Sequence, residues 1–181
     1  NTLNNSSLLR KVEWKNDKVL MIDQTKLPNE LIVVEYDDFN QVADAISTLV
    51  VRGAPAIGVS GAFGLALAVL QSNATNKNDL LSYLENARKI LFATRPTAVN
   101  LGWGLEKIMN IAKTGETVDQ IRELVISTAK KMADEDIEKI DKNGMYKIYD
   151  DWPKMARESY EANHEQIKCN NISHIVFTGM G

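Results

Sequence analysis

The 181-residue sequence is short of several residue types, and each shortage excludes a class of protein. Its one cysteine, Cys169, has no partner for an internal disulfide, which is typical of a reducing compartment. Lys and Arg number 21 against 24 Asp and Glu, without a cationic cluster, which disfavours a nucleic-acid surface. The start of the chain lacks the basic and apolar regions of a secretory signal. We therefore expect a cytoplasmic protein with a small-molecule ligand.

Long uncharged runs are scarce too, and the prominent one covers residues 54–70. Its length raises the question of a membrane span. However, it contains Pro55 and three glycines, and its flanks are not positively charged. We interpret it as a buried central helix. Gly58, Gly61 and Gly64 recur every third residue, which predicts close packing along one side of that helix.

Hydrophobic periodicity predicts strands first and helices afterwards. Three apolar segments at 12–14, 19–22 and 31–36, the first two joined by a turn at Asn16-Asp17, predict a small antiparallel β element. Five helical patterns follow it. They begin near Asp37 or Asp38, Pro55, Asp79, Thr97 and Thr117, and the first is predicted to turn Phe39, Val42, Ile46 and Leu49 inward.

These patterns predict an α+β fold with three parts. Residues 1–36 form the β element, and residues 37–144 form a helical bundle. Residues 145–181 contain one helical pattern and then one buried-strand pattern, Ile172 to Thr178. We interpret this last part as the first helix and strand of an incomplete Rossmann-like α/β domain.

Two turns carry an arginine between one helical pattern and the next. One holds Arg52, Gly53 and Ala54, followed by Pro55, and the other holds Arg95 and Pro96. The first N–H groups of a helix have no internal partner and lie at the positive end of the helix dipole. An arginine beside such an end adds a fork of donors, and both prolines suit the first helical positions. We therefore predict that the two turns hold a phosphate.

Other interpretations of the charged residues remain open. Both arginines could instead cap buried helices or pair with acidic neighbours. The carboxylates at 134–138 are not accompanied by histidine, so we expect a solvated helix face and no metal or cofactor. Neither His164 nor His174 stands in a motif with a partner, so neither is assigned a catalytic role.

The segments 52–68 and 94–103, with Leu20 to Pro28 upstream, closely resemble the N-terminal half of S-methyl-5-thioribose-1-phosphate isomerase. The resemblance covers about Val12 to Gly144. It implies an aldose-ketose isomerase of methionine salvage that binds a sugar phosphate through Arg52, Gly53, Ala54 and Arg95. It is also compatible with a homodimer. The same superfamily includes ribose-1,5-bisphosphate isomerases and regulatory subunits of the initiation factor two exchange complex, which remain alternatives.

The resemblance fails after Gly144. The family's catalytic cysteine and aspartate have no counterpart here, and Cys169 precedes a strand rather than following one, so no catalytic residue is assigned. Residues 145–181 instead resemble the start of an archaeal-type phosphoglucose/phosphomannose isomerase, which adds a hexose-phosphate isomerase as a further alternative. We therefore expect a truncated or fused reading frame whose product, alone, is inactive.

Overall fold

The N-terminal strands form a three-stranded antiparallel sheet in a computed structural model that describes residues 10–140. The strands are β1 (Val12–Lys15), β2 (Lys18–Ile22) and β3 (Val33–Tyr36), in the order β1-β2-β3. Asn16 and Asp17 join β1 to β2 with φ of 52° and 57°. Both lie in the left-handed region that Asn and Asp tolerate, as a tight hairpin turn requires. The predicted β element is confirmed.

Five helices follow the sheet within the described range. They are α1 (Phe39–Ser47), α2 (Ala54–Gln71), α3 (Lys77–Thr94), α4 (Val99–Thr114) and α5 (Val118–Ile140). The amphipathic helices turn apolar side chains inward. For example, Leu80, Leu84, Ala87 and Leu91 of α3 have no exposed surface. The α+β class is confirmed, whereas the predicted Rossmann-like segment lies outside the described residues.

Helix α2 is the centre of the core. It contacts all four other helices as well as β1 and β2. By length and composition it could cross a membrane, but 72% of it is buried inside the protein, so it has the burial of a core helix. The sheet joins the same core through Val12, Val19 and Met21. Residues 10–140 lie in one compact unit, and the division into parts at residues 36 and 144 stays a prediction.

The three glycines of α2 admit close neighbours, but these neighbours belong to different helices. A methyl group on Gly58 would lie 2.8 Å from the carbonyl oxygen of Asn100, and one on Gly61 would lie 2.6 Å from Leu101, both in α4. At Gly64 the nearest atoms, at 2.9 Å, belong to Leu91 of α3. Residues three apart are rotated by about 60° around a helix, so the three glycines cannot share one partner.

Two predictions about helix ends are wrong. Helix α1 ends at Ser47, so Leu49 does not lie on its inward face; it has φ of 64° and is 38% exposed. The hydroxyls of Ser47 and Thr48 both donate to the carbonyl of Asp44, so side chains bind this carbonyl in the last turn. Helix α4 begins at Val99 rather than near Thr97. Pro96 therefore lies in the turn before the helix and not in its first turn.

Candidate functional site

The turn that carries Arg52 ends in a glycine whose conformation other residues rarely adopt. Gly53 is the N-cap of α2 with φ of 94° and ψ of 133°. The first helical hydrogen bond runs from the N–H of Ile57 to the carbonyl of Gly53, at 3.0 Å. Since Pro55 has no N–H, the donors without a hydrogen-bond partner inside the helix are the amides of Ala54 and Ala56. Arg52 is exposed beside them.

The turn that carries Arg95 is a four-residue connection between α3 and α4. The N–H of Ala98 donates to the carbonyl of Arg95 at 2.9 Å, with Pro96 at the second position, where its fixed φ suits a turn. Ala98 is the N-cap of α4, and the first helical bond is donated by the N–H of Leu101 to Ala98 at 3.0 Å. The amides of Val99 and Asn100 precede it. Arg95 is half-buried.

Side-chain capping separates these two helices from the other three in residues 10–140. Asp38 accepts a hydrogen bond from the N–H of Asn40 in α1, and Asn76 accepts one from Asp79 in α3. For α5, the hydroxyl of Thr117 accepts from the N–H of Gln120 at 3.2 Å. Neither α2 nor α4 has such a cap. The uncapped helices are therefore the two that follow the arginine turns.

The arginines divide in the same way within the described part of the chain. Arg10, Arg88 and Arg122 each lie within 4.0 Å of a carboxylate, whereas Arg52 and Arg95 have no such partner there. The contact that Arg52 does make is a long hydrogen bond, 3.4 Å, from its Nε to the carbonyl of Leu49. The alternative in which both arginines pair with acidic neighbours is therefore not observed among residues 10–135, whose side chains the structure describes.

Close packing of α2 against α4 brings the two uncapped ends into one part of the fold. The carbonyl of Asn100, in the first turn of α4, lies against Gly58, in the second turn of α2. Gly104 lies against the same residue, since a methyl group there would be 2.5 Å from the carbonyl oxygen of Gly58. The backbones touch because neither glycine has a side chain. Gly58 and Gly104 thus set how close the two helix starts can be.

These features together describe a place that suits an anion. Unbonded amides at a helix start point along the axis toward solvent, and the helix dipole adds roughly half a positive charge there. Each guanidinium without a carboxylate partner can form charge-assisted hydrogen bonds, worth about 1.5–3 kcal/mol apiece. The structure places Arg52, Gly53, Ala54 and Arg95 at these two starts. Whether they share one ligand stays a prediction.

Exposed apolar side chains stand next to the α4 start. Val99 is 82% exposed and Trp103 is 55% exposed, and Lys107 lies over the Trp103 ring at 5.1 Å. Trp103 and Lys107 also line a cleft of about 500 Å³ that includes Thr128 of α5 but neither predicted arginine. Lys107 forms an ion pair with Glu135 at 3.4 Å, so its charge is already partnered. The cleft therefore suits an anion less well than the helix starts do.

Two residues that shape these starts, Asn100 and Leu49, are not among the site residues predicted from the sequence. Asn100 contributes an unbonded amide to the α4 end and a carbonyl to the α2 contact. Leu49 supplies the carbonyl that holds Arg52. Asn100 stands in the arginine motif and could have been included. Nothing in the sequence indicates a site role for Leu49, because its spacing from Phe39, Val42 and Ile46 fits a continuous helix.

Comparison with known proteins gives a family and a set of relatives. The profile of the initiation factor 2 subunit family matches residues 50–152. Methylthioribose-1-phosphate isomerase from Geobacter metallireducens is 43% identical over 130 residues, which are 71% of this chain and 38% of the relative. The chain thus spans about two fifths of the length of the curated relatives it matches.

Two solved structures share the fold at similar levels. The 5-methylthioribose 1-phosphate isomerase from Pyrococcus horikoshii OT3 has a TM-score of 0.70 and 45% identity, covering 73% of this chain and 38% of that one. The translation initiation factor eIF-2B subunit delta from A. fulgidus has a TM-score of 0.69 and 44% identity, covering 72% and 38%. The likeness in fold therefore does not separate these two names.

Proposed function

The chain belongs to the initiation factor 2 subunit family, and from this premise we propose that it is the substrate-anchoring part of a sugar-phosphate isomerase. The reaction proposed is the conversion of S-methyl-5-thioribose 1-phosphate into S-methyl-5-thioribulose 1-phosphate. Curated relatives that carry the name methylthioribose-1-phosphate isomerase, at identities between 41% and 48%, support it. The arginine motifs that suggested this enzyme lie inside the matched region.

One observation carries the proposal. The two helices that lack a side-chain cap are the two that start beside arginines without a carboxylate partner, among the residues described. A buried ion pair or an Asp cap at either place would have filled the site with the protein's own negative charge. Open amides and open guanidinium groups instead leave room for the ligand's phosphate.

The role we propose for these groups is to hold the phosphate while the sugar reacts. The phosphate on the anomeric oxygen must stay attached while the ring opens and a hydrogen moves between neighbouring carbons. Arg52 and Arg95 would bind its oxygens, and the backbone at Gly53 and Ala54 would approach closely because Gly53 has no side chain. The hydrogen transfer needs a general acid and base, and we assign that role to no residue between 10 and 140.

Calorimetric titration of the 181-residue chain tests this proposal. S-methyl-5-thioribose 1-phosphate should bind, and S-methyl-5-thioribose, which lacks the phosphate, should not. Arg52→Ala and Arg95→Ala should each weaken binding by about tenfold to a hundredfold, the value of a lost charge-assisted bond. Arg88→Ala is the matched control, because Arg88 is paired with Glu85. Equal binding of both sugars, or variants that bind like the parent, would contradict anchoring through the phosphate.

A regulatory subunit of the initiation factor two exchange complex is the second candidate. It is supported by the likeness to the A. fulgidus structure named as eIF-2B subunit delta. The two candidates predict different activities of a longer protein that contains this chain, namely sugar isomerisation or stimulation of guanine-nucleotide exchange. Ribose 1,5-bisphosphate, added as a competitor in the isomerisation assay, distinguishes a methylthioribose-1-phosphate isomerase from a ribose-1,5-bisphosphate isomerase. The second enzyme should prefer the competitor, which carries a second phosphate.

We further propose a cytoplasmic protein that forms homodimers and binds neither nucleic acid nor membranes. The low cysteine content supports the location, and the lack of a cationic cluster supports the absence of nucleic acid. The homodimer rests on the family resemblance alone. Light scattering coupled to size exclusion reports the oligomeric state, and cell fractionation reports the location. A monomeric mass or a membrane-bound fraction would contradict the corresponding statement.

A further inference from the structure

Helix α1 ends in a Schellman motif that has leucine where glycine is usual. Thr48 is the C-cap, and Leu49 follows it with φ of 64°. The N–H of Val50 donates to the carbonyl of Ala45 at 3.0 Å, and the N–H of Leu49 donates to Ile46 at 3.4 Å. These are the two hydrogen bonds of the motif, which needs a left-handed residue at the position after the C-cap. Leucine there is strained, because its Cβ crowds the backbone.

The surrounding structure holds Leu49 in this conformation from both sides. Besides the two helix-end bonds, the N–H of Gln24 donates to the carbonyl of Val50 at 2.9 Å, and the side chain of Val51 is fully buried. Strained residues persist where their surroundings fix them, and they cluster at functional sites. The next residue after Val51 is Arg52, so the strained position is three residues from a proposed anchor.

Arg52 links the strained residue Leu49 to the proposed phosphate site. Its Nε donates to the carbonyl oxygen of Leu49, and the left-handed conformation decides where that carbonyl points. A guanidinium is planar, so a bond at Nε restrains its orientation and leaves the two terminal nitrogens available to a ligand. We propose that Leu49 is a positioning residue, whose left-handed backbone orients the terminal nitrogens of Arg52 for two-pronged binding of a phosphate. This inference rests on the function proposed above.

The alternative explanation is that Leu49 only ends helix α1. In that case a change at Leu49 would alter stability without altering the arginine. The proposal differs in one point, since it requires that the backbone conformation, and not the leucine side chain, matters to Arg52. Asn tolerates the left-handed region, whereas a β-branched residue there is a severe outlier. Leu49→Asn and Leu49→Ile therefore preserve and disturb the conformation, respectively.

Leu70 offers a matched control for these variants. It is 39% exposed against 38% for Leu49, and it lies in the last turn of α2, where the backbone is helical. Leu70→Ile therefore makes the same change of side chain at equal exposure without a left-handed backbone. All variants are made in the 181-residue chain, and thermal unfolding is recorded for each.

The first readout is the NMR signal of the Arg52 Nε–H group in the ligand-free protein. It should keep its position and slow exchange with water in Leu49→Asn and Leu70→Ile, and should move toward the values of a free arginine in Leu49→Ile. An unchanged signal in Leu49→Ile, or a lost one in Leu49→Asn, would overturn the proposal. Leu49→Asn keeps the proposal testable even if Leu49→Ile does not fold, because a lost signal in Leu49→Asn would overturn it.

The second readout is the affinity for inorganic phosphate. We expect Leu49→Ile to weaken binding by about threefold to tenfold in the parent, but by less than about twofold in an Arg52→Lys background, where the Nε donor is absent. Equal losses in both backgrounds would mean a purely structural role for Leu49. If the parent itself fails to bind phosphate, the anchoring function is wrong, whereas the Arg52 signal still decides the orientation of the guanidinium.

Discussion

The five helix starts between residues 10 and 140 are of two kinds, closed by a side-chain cap and open. In helices α1, α3 and α5, an early backbone amide donates to a capping side chain, which belongs to Asp38, Asn76 and Thr117, respectively. Such N-caps are the usual arrangement at helix starts. Helices α2 and α4 leave the same amides without a side-chain partner. Since a missing cap lowers stability by about 1 kcal/mol, the open starts are costly. Both adjoin an arginine that has no carboxylate partner among residues 10–135, which is the arrangement expected of the phosphate site proposed above.

The contact between the open starts gives the largest expected effect. Gly104→Ala places a methyl group 2.5 Å from the carbonyl oxygen of Gly58, a backbone atom that cannot rotate away. The helices must separate, and we expect a loss of about 3 kcal/mol in the free energy of unfolding, together with weaker phosphate binding. Urea unfolding measures the first, and calorimetry measures the second.

Gly102→Ala is the control for this prediction. A methyl group at Gly102 meets the ring of Phe92 at 3.3 Å, which is a side chain. Gly102 lies in the same helix, so both substitutions gain the same helix propensity. Equal stability of the two variants would mean that close α2–α4 packing does not hold the open starts together.

Closing an open start should separate stability from binding. Ala98 is the N-cap of α4 with φ of −79° and ψ of 96°, an extended conformation that a capping residue can use. We expect Ala98→Asp to raise the free energy of unfolding by about 1 kcal/mol and to weaken phosphate binding, because its carboxylate takes the amides and repels the ligand. Urea unfolding and calorimetry report the two effects.

Opening a closed start makes the complementary variant. Asn76→Ala removes the cap that accepts from the N–H of Asp79 at 3.0 Å. It should lower stability by about 1 kcal/mol and leave phosphate affinity unchanged, since no arginine motif adjoins the start of α3. Stronger phosphate binding in this variant would show that any uncapped helix start suffices.

Gly53→Ala tests the backbone of the α2 start. At φ of 94° a side chain is strained, yet a methyl group there meets no atom within 4 Å. The cost is therefore conformational and should be about 1–3 kcal/mol, because residues other than glycine rarely adopt this conformation. We expect weaker phosphate binding as well, because relaxation of the turn moves the amide of Ala54. A stability equal to the parent's in urea unfolding would contradict the strained conformation.

The smallest effect concerns a paired arginine. The pKa of Glu85 lies below its usual value of 4.5, chiefly because Arg88 donates hydrogen bonds of 2.7 Å and 2.9 Å to it. A lowered carboxyl pKa contributes stability above about pH 4.5 that is lost as the pH falls through the lower folded value. Because this pair is partly exposed, Arg88→Ala should cost about 0.5 kcal/mol at pH 7 and less at pH 3.

Arg52→Ala is the comparison for Arg88→Ala. Arg52 is exposed and has no carboxylate within 4.0 Å among residues 10–135, so its removal should leave stability unchanged at both pH values. Urea unfolding at pH 7 and pH 3 checks both variants. A pH-dependent loss of stability in Arg52→Ala would contradict this expectation, because it would reveal an ion pair between Arg52 and a carboxylate.

Periodicity was sufficient to predict most of the fold, because apolar spacing follows directly from which face is buried. The inward residues of α3 and the hairpin at Asn16-Asp17 are examples. Helix ends were harder to predict, because they depend on hydrogen bonds that periodicity does not record. Leu49 continued the apolar spacing of α1, yet the hydroxyls at its end and the Schellman bonds stopped the helix earlier.

The candidate site was predictable in part. Both arginine motifs could be found because Arg, Gly and Pro at a helix boundary have a clear physical use. The meeting of the two starts was not predictable, since it depends on Gly104 of α4 contacting Gly58 of α2, 46 positions earlier by residue number. Single-helix patterns contain no information about such a contact.

The most direct test of the open starts is an amide NMR titration of the 181-residue chain with inorganic phosphate. The amides of Ala54, Ala56, Val99 and Asn100 should shift together and reach saturation at the same phosphate concentration. The capped amides of Asn40, Asp79 and Gln120 should stay in place. If the two groups moved alike, or if the open amides did not move at all, these helix starts would not be an anion site.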